Sequence, residues 1–132
     1  MVDTLGAQQI NTKGTDASTT AAWTWGSWAE MTPSTATDYC GIAIRAVPLH
    51  NATAWDQGDR SGWTRIRLGL GGAGSEVEIA FWENAYAATL SSPFHWLPVS
   101  IPAGSRLSVS VQHSSTDNPA ITTVMAYALR GA

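Results

Sequence analysis

The side chains that could perform acid–base or nucleophilic chemistry are few in this 132-residue sequence, and they lie far apart along it. The histidines, His50, His95 and His113, fall in three separate segments, and no serine lies in the G-x-S-x-G pattern of a nucleophile elbow. A serine or cysteine nucleophile requires a histidine and a carboxylate that converge on it. Cys40 lies on the apolar side of an alternating segment, so we expect it to be a small buried hydrophobic residue. We predict no catalytic residue and no enzymatic activity.

Metal and cofactor signals in the sequence are weak. Asp56 and Asp59 lie in one polar segment, and calcium takes carboxylate oxygens from such loops. No third acidic residue lies beside them, so ordinary turn chemistry is their expected role. Residues 69–74 approximate the phosphate-binding G-x-G-x-x-G pattern, but the alternation that follows predicts a strand instead of the helix that would hold the phosphate. We predict neither a metal nor a cofactor.

Tryptophan is the one enriched residue type. The sequence holds 7 Trp, and only 13% of its residues are charged, against about 25% in an average domain. Aromatic side chains in loops or on outward strand faces anchor subunit interfaces or stack against sugars, whose hydroxyls bind neighbouring carboxylates and amides. The candidates for such an interface or glycan platform are Trp55, Asp56, Gln57, Trp63 and Trp82.

The charge and hydropathy of the chain argue against several partners. The formal net charge is −3 and Lys13 is the only lysine, so we expect no nucleic-acid binding, which depends on a basic surface. The sequence contains no run of about 18 apolar residues, so we predict no membrane-spanning helix. Residues 1–10 lack the basic and apolar regions of a secretory signal. A single cysteine excludes an internal disulfide.

Short segments of alternating apolar and polar residues follow one another from residue 23 onward, and none shows the stripe of an amphipathic helix. A period of two with one apolar face is typical of half-buried antiparallel strands. With weaker strands at residues 86–90 and 94–100, the pattern predicts an all-β fold: an antiparallel, jelly-roll-like β-sandwich of about eight strands. The residues predicted to face its core are Cys40, Ile42, Ile44 and Ala46; Ile66, Leu68 and Leu70; Val77, Ile79 and Phe81; Leu107, Val109 and Val111; and Thr123, Met125, Tyr127 and Leu129.

A glycine-rich connection at residues 69–74 predicts a bulged hairpin between two strongly alternating strands. Pairing of these strands would place Arg65 and Arg67 on an outer face with Glu76 and Glu78, where cross-strand opposite charges stabilise the sheet. Trp82 is expected on the same outward face, because the apolar residues that alternate with it are assigned to the core.

Other connections follow from proline, glycine and polar composition. Residues 101–105 predict a tight turn through Pro102 and Gly104, and residues 97–101 should form an edge or a strand end. The polar residues 48–62 predict a long exposed loop of the kind that carries binding residues.

Two regions differ in composition. Residues 1–22 are polar, rich in threonine and without periodicity, which predicts an N-terminal arm, either loose or ordered against a neighbouring subunit. Residues 23–132 form the predicted sandwich domain.

Four short motifs add a resemblance that covers most of the chain from residue 23. They are WGSW at residues 25–28, GAGSE at 72–76, LPVSIPAGSRL at 97–107 and VQHSS at 111–115. The motifs resemble the W-G-x-W, G-x-x-G-S-E, P-V-x-I-P-A-G-(S/T)-R-(I/L) and Q-(S/H)-S segments of a family of small virion structural proteins of tailed bacteriophages. The resemblance implies a jelly-roll-like sandwich on a phage particle, without catalytic residues.

The leading hypothesis is therefore a non-enzymatic accessory protein of a tailed phage virion, a capsid decoration or head-fibre protein. We expect a homo-oligomer, with a trimer as the expected state, bound to the major capsid protein or another virion protein. Synthesis in the host cytoplasm agrees with the lack of disulfides. The alternatives are a carbohydrate-binding jelly-roll module or lectin for host-surface glycans, and a tail or baseplate component.

Overall fold

The protein, seen in a computed structural model, is described over residues 7–11, 14–50, 62–86, 94–114 and 120–131. These residues form nine strands: β1 (Ala7–Gln9), β2 (Thr15–Thr19), β3 (Ala29–Thr32), β4 (Gly41–His50), β5 (Gly62–Leu70), β6 (Val77–Tyr86), β7 (His95–Leu97), β8 (Leu107–His113) and β9 (Ala120–Leu129). Within these ranges there is no helix with the length and hydropathy needed to cross a membrane.

The strands form two antiparallel sheets whose pairing is nested. In sheet A, β9 pairs with β4 on one side and with both β1 and β2 on the other, and β7 is the edge beyond β4. Sheet B has the order β3-β8-β5-β6. Thus β2 pairs with β9, β3 with β8, β4 with β7 and β5 with β6, as in one long hairpin rolled upon itself. This nested pairing is the jelly roll, so the predicted all-β antiparallel sandwich is confirmed.

The core lies between the two sheets and is filled by alternate residues of the central strands. Burying each large aliphatic side chain contributes about 1.5–3 kcal/mol to the free energy of unfolding. The predicted core faces of β4, β5 and β8 are confirmed by the buried residues Ile42, Ile44, Ala46, Ile66, Leu68, Leu107, Val109 and Val111.

The predicted core face of β6 is wrong at Val77 and Phe81, which are exposed, whereas Ile79 is partly buried against the core. A register shift pairs Leu68 with Ala80 but Gly69 with Glu78, so Ile79 is an extra residue that reverses the alternation. Trp82, predicted to face outward, is therefore 8% exposed in the core, and Phe81 is 46% exposed on the outside.

The predicted core face of β9 is also wrong. The structure buries Val124, Ala126 and Ala128, whereas the face that carries Met125 and Tyr127 points away from the core. Both faces of this strand are apolar, so its alternation identified two faces without deciding which one the other sheet covers.

Cys40 was predicted to be buried, and it is exposed. The strand β4 begins at Gly41, and the buried residue before it is Tyr39, which forms a bridge with Ile101. The Cys40 thiol lies 3.6 Å from the carbonyl oxygen of Leu129.

The described residues of the predicted arm belong to the sandwich, because β1 and β2 extend sheet A along β9 of the same chain. Asn11 lies between these strands and is buried. Its side-chain amide donates a hydrogen bond of 2.8 Å to the carbonyl of Val124 and accepts one of 3.0 Å from the N–H of Ala126. These bonds continue the backbone pairing across the interruption.

The two predicted turns are confirmed. β5 and β6 form a bulged hairpin, and Gly104 has φ +77°, the left-handed conformation expected after Pro102. Both ends of the predicted loop at residues 48–62 belong to strands instead, because β4 continues to His50 and β5 begins at Gly62. Residues 51–61 lie outside the described residues.

Candidate functional site

The sequence candidates for an interface or glycan platform do not form one site. Trp63 is 50% exposed on β5, on the outer face of sheet B, whereas Trp82 lies in the core. Trp55, Asp56 and Gln57 fall outside the residues that the structure describes.

A second tryptophan segment, residues 23–28, reaches the outer face of sheet B. It continues the line of β3 along β8, with hydrogen bonds from the N–H of Gly26 to the Val111 carbonyl (2.9 Å) and from the Ser110 hydroxyl to the Gly26 carbonyl (2.8 Å). A Cβ at Gly26 would lie 1.7 Å from the carbonyl oxygen of Ser18, so only glycine allows β2 to approach this closely. The segment is therefore fixed between the two sheets.

Trp23 has an unusual backbone conformation. Its φ of 55° lies in the left-handed region, where a non-glycine residue costs about 1–2 kcal/mol. The Trp23 N–H donates a 2.8 Å hydrogen bond to the His113 carbonyl, and the Gln112 amide donates one of 2.5 Å to the Trp23 carbonyl. These two bonds to β8 hold the residue in place, and its side chain is 48% exposed.

Arg65 lies beneath the Trp23 ring. Its guanidinium carbon is 4.8 Å from the ring centroid, which is a cation–π distance. The Arg65 Nε donates a 2.6 Å hydrogen bond to the Glu83 carboxylate, and an Nη donates one of 3.3 Å to the Gln112 side chain. Arg65 thus contacts the Trp23 ring, the Glu83 carboxylate and the Gln112 side chain at the same time.

Arg67 repeats this arrangement two residues along β5. Its guanidinium carbon lies 4.4 Å from the ring centroids of both Trp25 and Trp28, and its Nη1 lies 3.9 Å from the Glu78 carboxylate. Each ring contributes about 0.5–2 kcal/mol through cation–π attraction. The Trp25 ring also meets Phe81 edge-on, with centroids 6.2 Å apart.

The predicted charge pairs on this face are correct for one pair only. Arg67 lies near Glu78, as predicted, but Arg65 pairs with Glu83. Glu76 instead meets Arg106, whose Nη1 lies 2.8 Å from its carboxylate. The reason is the bulge in β6, which shifts the pairing of β6 with β5 by one residue relative to a regular hairpin.

Arg106, which directly precedes β8, connects it to β3 and to the turn between β5 and β6. Its guanidinium contacts the carboxylates of Glu30 (2.7 Å) and Glu76 (2.8 Å) and the carbonyl of Gly71 (3.2 Å). The hydrogen bond from Arg106 lowers the pKa of Glu76, with further lowering by backbone N–H groups, its own and that of Gly74. The carboxylates of Glu30 and Glu76 in turn raise the pKa of Arg106.

We call the outer surface formed by Trp23, Trp63, Arg65, Phe81 and Glu83 the sheet B aromatic face. Trp63 and Arg65 are two residues apart on β5, and Arg65 pairs with Glu83 across to β6, so their side chains leave the same side of the sheet. Its three aromatic residues are 46–50% exposed. The face combines apolar rings with paired charges.

The outer side of sheet A carries a different surface, which we call the sheet A contact face. Its members are Phe94, Trp96, Met125, Tyr127 and Leu129. The Trp96 ring, 48% exposed, lies over Gly41, where a Cβ would come within 2.2 Å of it. Phe94 meets Tyr127 edge-on, with centroids 5.7 Å apart. This surface carries large, mainly apolar residues, with Arg45 opposite Met125, whereas the inner face of β9 is filled by alanines and valine.

The remaining polar groups do not converge on a reactive centre in the described ranges. No cluster of three histidine, cysteine or acidic side chains that could bind a metal is present there. A shallow groove of about 570 Å³ lies beside Tyr39 and Cys40. Its carboxylate, Asp38, accepts a 2.7 Å hydrogen bond from the N–H of Ala103.

In comparisons with known proteins, no family model and no curated protein matches this chain. The residues that sequence reasoning missed are Trp23, Phe81 and Glu83. The available signal was the alternation of Trp23 with Trp25 and the equal spacing of Arg65 and Arg67, which is the spacing of side chains on one face of a sheet.

Proposed function

We propose that the protein is a non-enzymatic structural protein of a tailed bacteriophage virion, a capsid decoration or head-fibre protein. It is made in the host cytoplasm and assembles as a homo-oligomer, with a trimer as the expected state, on the major capsid protein or another virion protein. The observation that carries this proposal is the sheet A contact face, and the resemblance of four short motifs to segments of phage virion proteins agrees with it.

The distribution of large and small residues across sheet A supports a role in contact. Ala126 and Ala128 face the core, whereas Met125, Tyr127 and Leu129 face away from it. Antiparallel sheets that face water on one side commonly place polar residues there. Aromatic and methionine side chains are instead enriched in protein interfaces, and charged residues are depleted at their centres.

Self-association can be tested by sedimentation velocity over a range of protein concentrations. We expect the mass of three chains, and we expect Trp96→Ala to shift the protein toward the monomer because it removes a half-exposed ring from the sheet A contact face. Trp63→Ala is the matched control, since Trp63 is 50% exposed on the opposite sheet, against 48% for Trp96.

The virion role itself is tested by adding the purified protein to particles produced without its gene. We expect saturable binding and, by electron microscopy, added density at symmetry-related positions of the particle. A protein that stays monomeric at all concentrations and leaves such particles bare would contradict the proposal.

A further inference from the structure

The sheet B aromatic face has the chemistry of a ligand site rather than of a core surface. Trp23, Trp63 and Phe81 are each about half exposed, at 48%, 50% and 46%. The Arg65 guanidinium lies over the Trp23 ring, and about half of the Trp23 residue still meets solvent. Flat apolar surfaces of this kind pack against the C–H face of a sugar ring as they pack against other apolar groups.

The Trp23 ring is also held in a fixed place. A bulky residue at φ 55° persists only where its surroundings enforce the conformation, and such residues cluster at functional sites. Here the Gln112 side chain bonds both the Trp23 carbonyl and the Arg65 guanidinium. One buried amide therefore aligns the aromatic ring with the polar group beneath it, and a ligand need not order them.

Polar groups for hydroxyls lie beside the rings. The Arg65 and Glu83 side chains are 39% and 37% exposed while joined by their 2.6 Å contact. A guanidinium has five N–H donors and a carboxylate accepts at two oxygens, so the pair keeps capacity for further hydrogen bonds. Sugar hydroxyls, which both donate and accept, can occupy that capacity in place of water.

The charges of this face favour a neutral ligand. Arg65 is paired with Glu83 and Arg67 lies near Glu78, so neither cation is left to attract a phosphate, sulfate or uronate. An apolar protein partner would remove these ion pairs from water without replacing the lost hydrogen bonds, which is costly. A neutral polyhydroxylated ligand covers the rings and still hydrogen-bonds the charges.

We propose that the sheet B aromatic face binds a neutral glycan, with sugar rings stacked on Trp23 and Trp63 and hydroxyls hydrogen-bonded by Arg65 and Glu83. This binding does not depend on a virion role. On a phage particle it would attach the protein to a glycan surface while sheet A makes the protein contacts.

The test is isothermal titration of the full chain with soluble neutral oligosaccharides of hexoses, N-acetylhexosamines and 6-deoxyhexoses. Uronic-acid and sulfated oligosaccharides are the anionic comparison. Soluble single-site ligands are chosen because the oligomeric state then does not amplify the affinity. We expect at least one neutral oligosaccharide to bind, with little dependence on salt.

Variants then locate the site. We expect Trp63→Ala and Trp23→Ala each to weaken binding by about tenfold or more, the equivalent of one lost aromatic anchor. Trp63→Tyr should retain much of the affinity, since it keeps a flat ring, and this variant also guards against a loss caused by misfolding. Trp96→Ala, with the same exposure as Trp23 but on sheet A, should bind like the parent protein.

Four results would overturn the proposal. The first is no binding of any neutral oligosaccharide, and the second is an equal loss in Trp96→Ala. The third is a preference for anionic oligosaccharides that disappears in salt. The fourth is association of two copies of the chain through Trp63. The first three results leave open whether the protein binds phage particles, so the two proposals fail separately, whereas the fourth would also contradict self-association through sheet A.

Discussion

The indole ring of Trp23 lies 4.8 Å from the guanidinium carbon of Arg65, although 41 positions separate the two residues in the sequence. The contact depends on a left-handed backbone at Trp23 and on hydrogen bonds to β8. A side chain held in this way is ordered before any partner arrives, which lowers the entropic cost of binding.

Removal of the Gln112 amide should destabilise the fold. Gln112→Ala loses the hydrogen bonds to Trp23 and Arg65, and we expect the free energy of unfolding to fall by about 1–3 kcal/mol in urea denaturation. Ser100→Ala, at an exposed position, should remain within about 0.5 kcal/mol of the parent protein. An unchanged midpoint for Gln112→Ala would mean that these bonds do not hold Trp23.

Gly41 and Trp96 should be energetically coupled. A Cβ on Gly41 would lie 2.2 Å from the Trp96 ring, so Gly41→Ala must displace the indole and should cost about 1–3 kcal/mol. In the Trp96→Ala background the added methyl group has room, and Gly41→Ala should then cost much less. A double-mutant cycle of thermal or urea unfolding measures this coupling, and additive effects would contradict the packing.

Acid should destabilise the protein in part through Glu76. Its pKa is lowered in the folded state by Arg106, so the unfolded chain binds more protons as the pH falls below the ordinary carboxyl value of 4.5. The stability that this group contributes is present above that value and is lost as the pH falls through the folded-state pKa.

The Glu76→Gln variant isolates that contribution. We expect it to be less stable than the parent protein at pH 7, because Arg106 loses a charged partner, and to lose less stability between pH 5 and pH 2. Urea denaturation across this range gives the slope of stability against pH. Equal slopes in the two proteins would rule out the linkage.

Cys40 should react in the native protein. The thiol is exposed, so a chromogenic disulfide reagent should modify one thiol per chain without denaturant. Cys40→Ser serves as the blank. Modification that begins only in denaturant would mean that the Cys40 thiol is buried, as the sequence pattern predicted.

Much of the fold could be predicted from the sequence because strand and turn signals are local. The alternation around Ile66 and Leu68 predicted β5 correctly, and Pro102 with Gly104 predicted the turn before β8. Backbone geometry imposes a period of two on side chains in any strand, and φ preferences act within a few residues. These signals need no knowledge of what lies opposite.

The candidate site was only partly predictable. Trp63 was named as a candidate because it borders the predicted polar loop, but Trp82 was placed on the wrong side since no local signal marks the bulge at Ile79. The role of Trp23 was missed because its position depends on contacts with β8, some 90 residues further along the chain.

The sequence by itself thus determined the long strands β4, β5, β6, β8 and β9, the turns and the weakly charged, tryptophan-rich composition. Only the tertiary structure decided which side of β6 and β9 meets the core and which rings reach the surface. The physical reason is that periodicity defines two faces of a strand, whereas burial is a property of the sheet packed against it. The contacts of Trp23 with Arg65 and of Trp96 with Gly41 likewise form only because the rolled hairpin brings distant segments together.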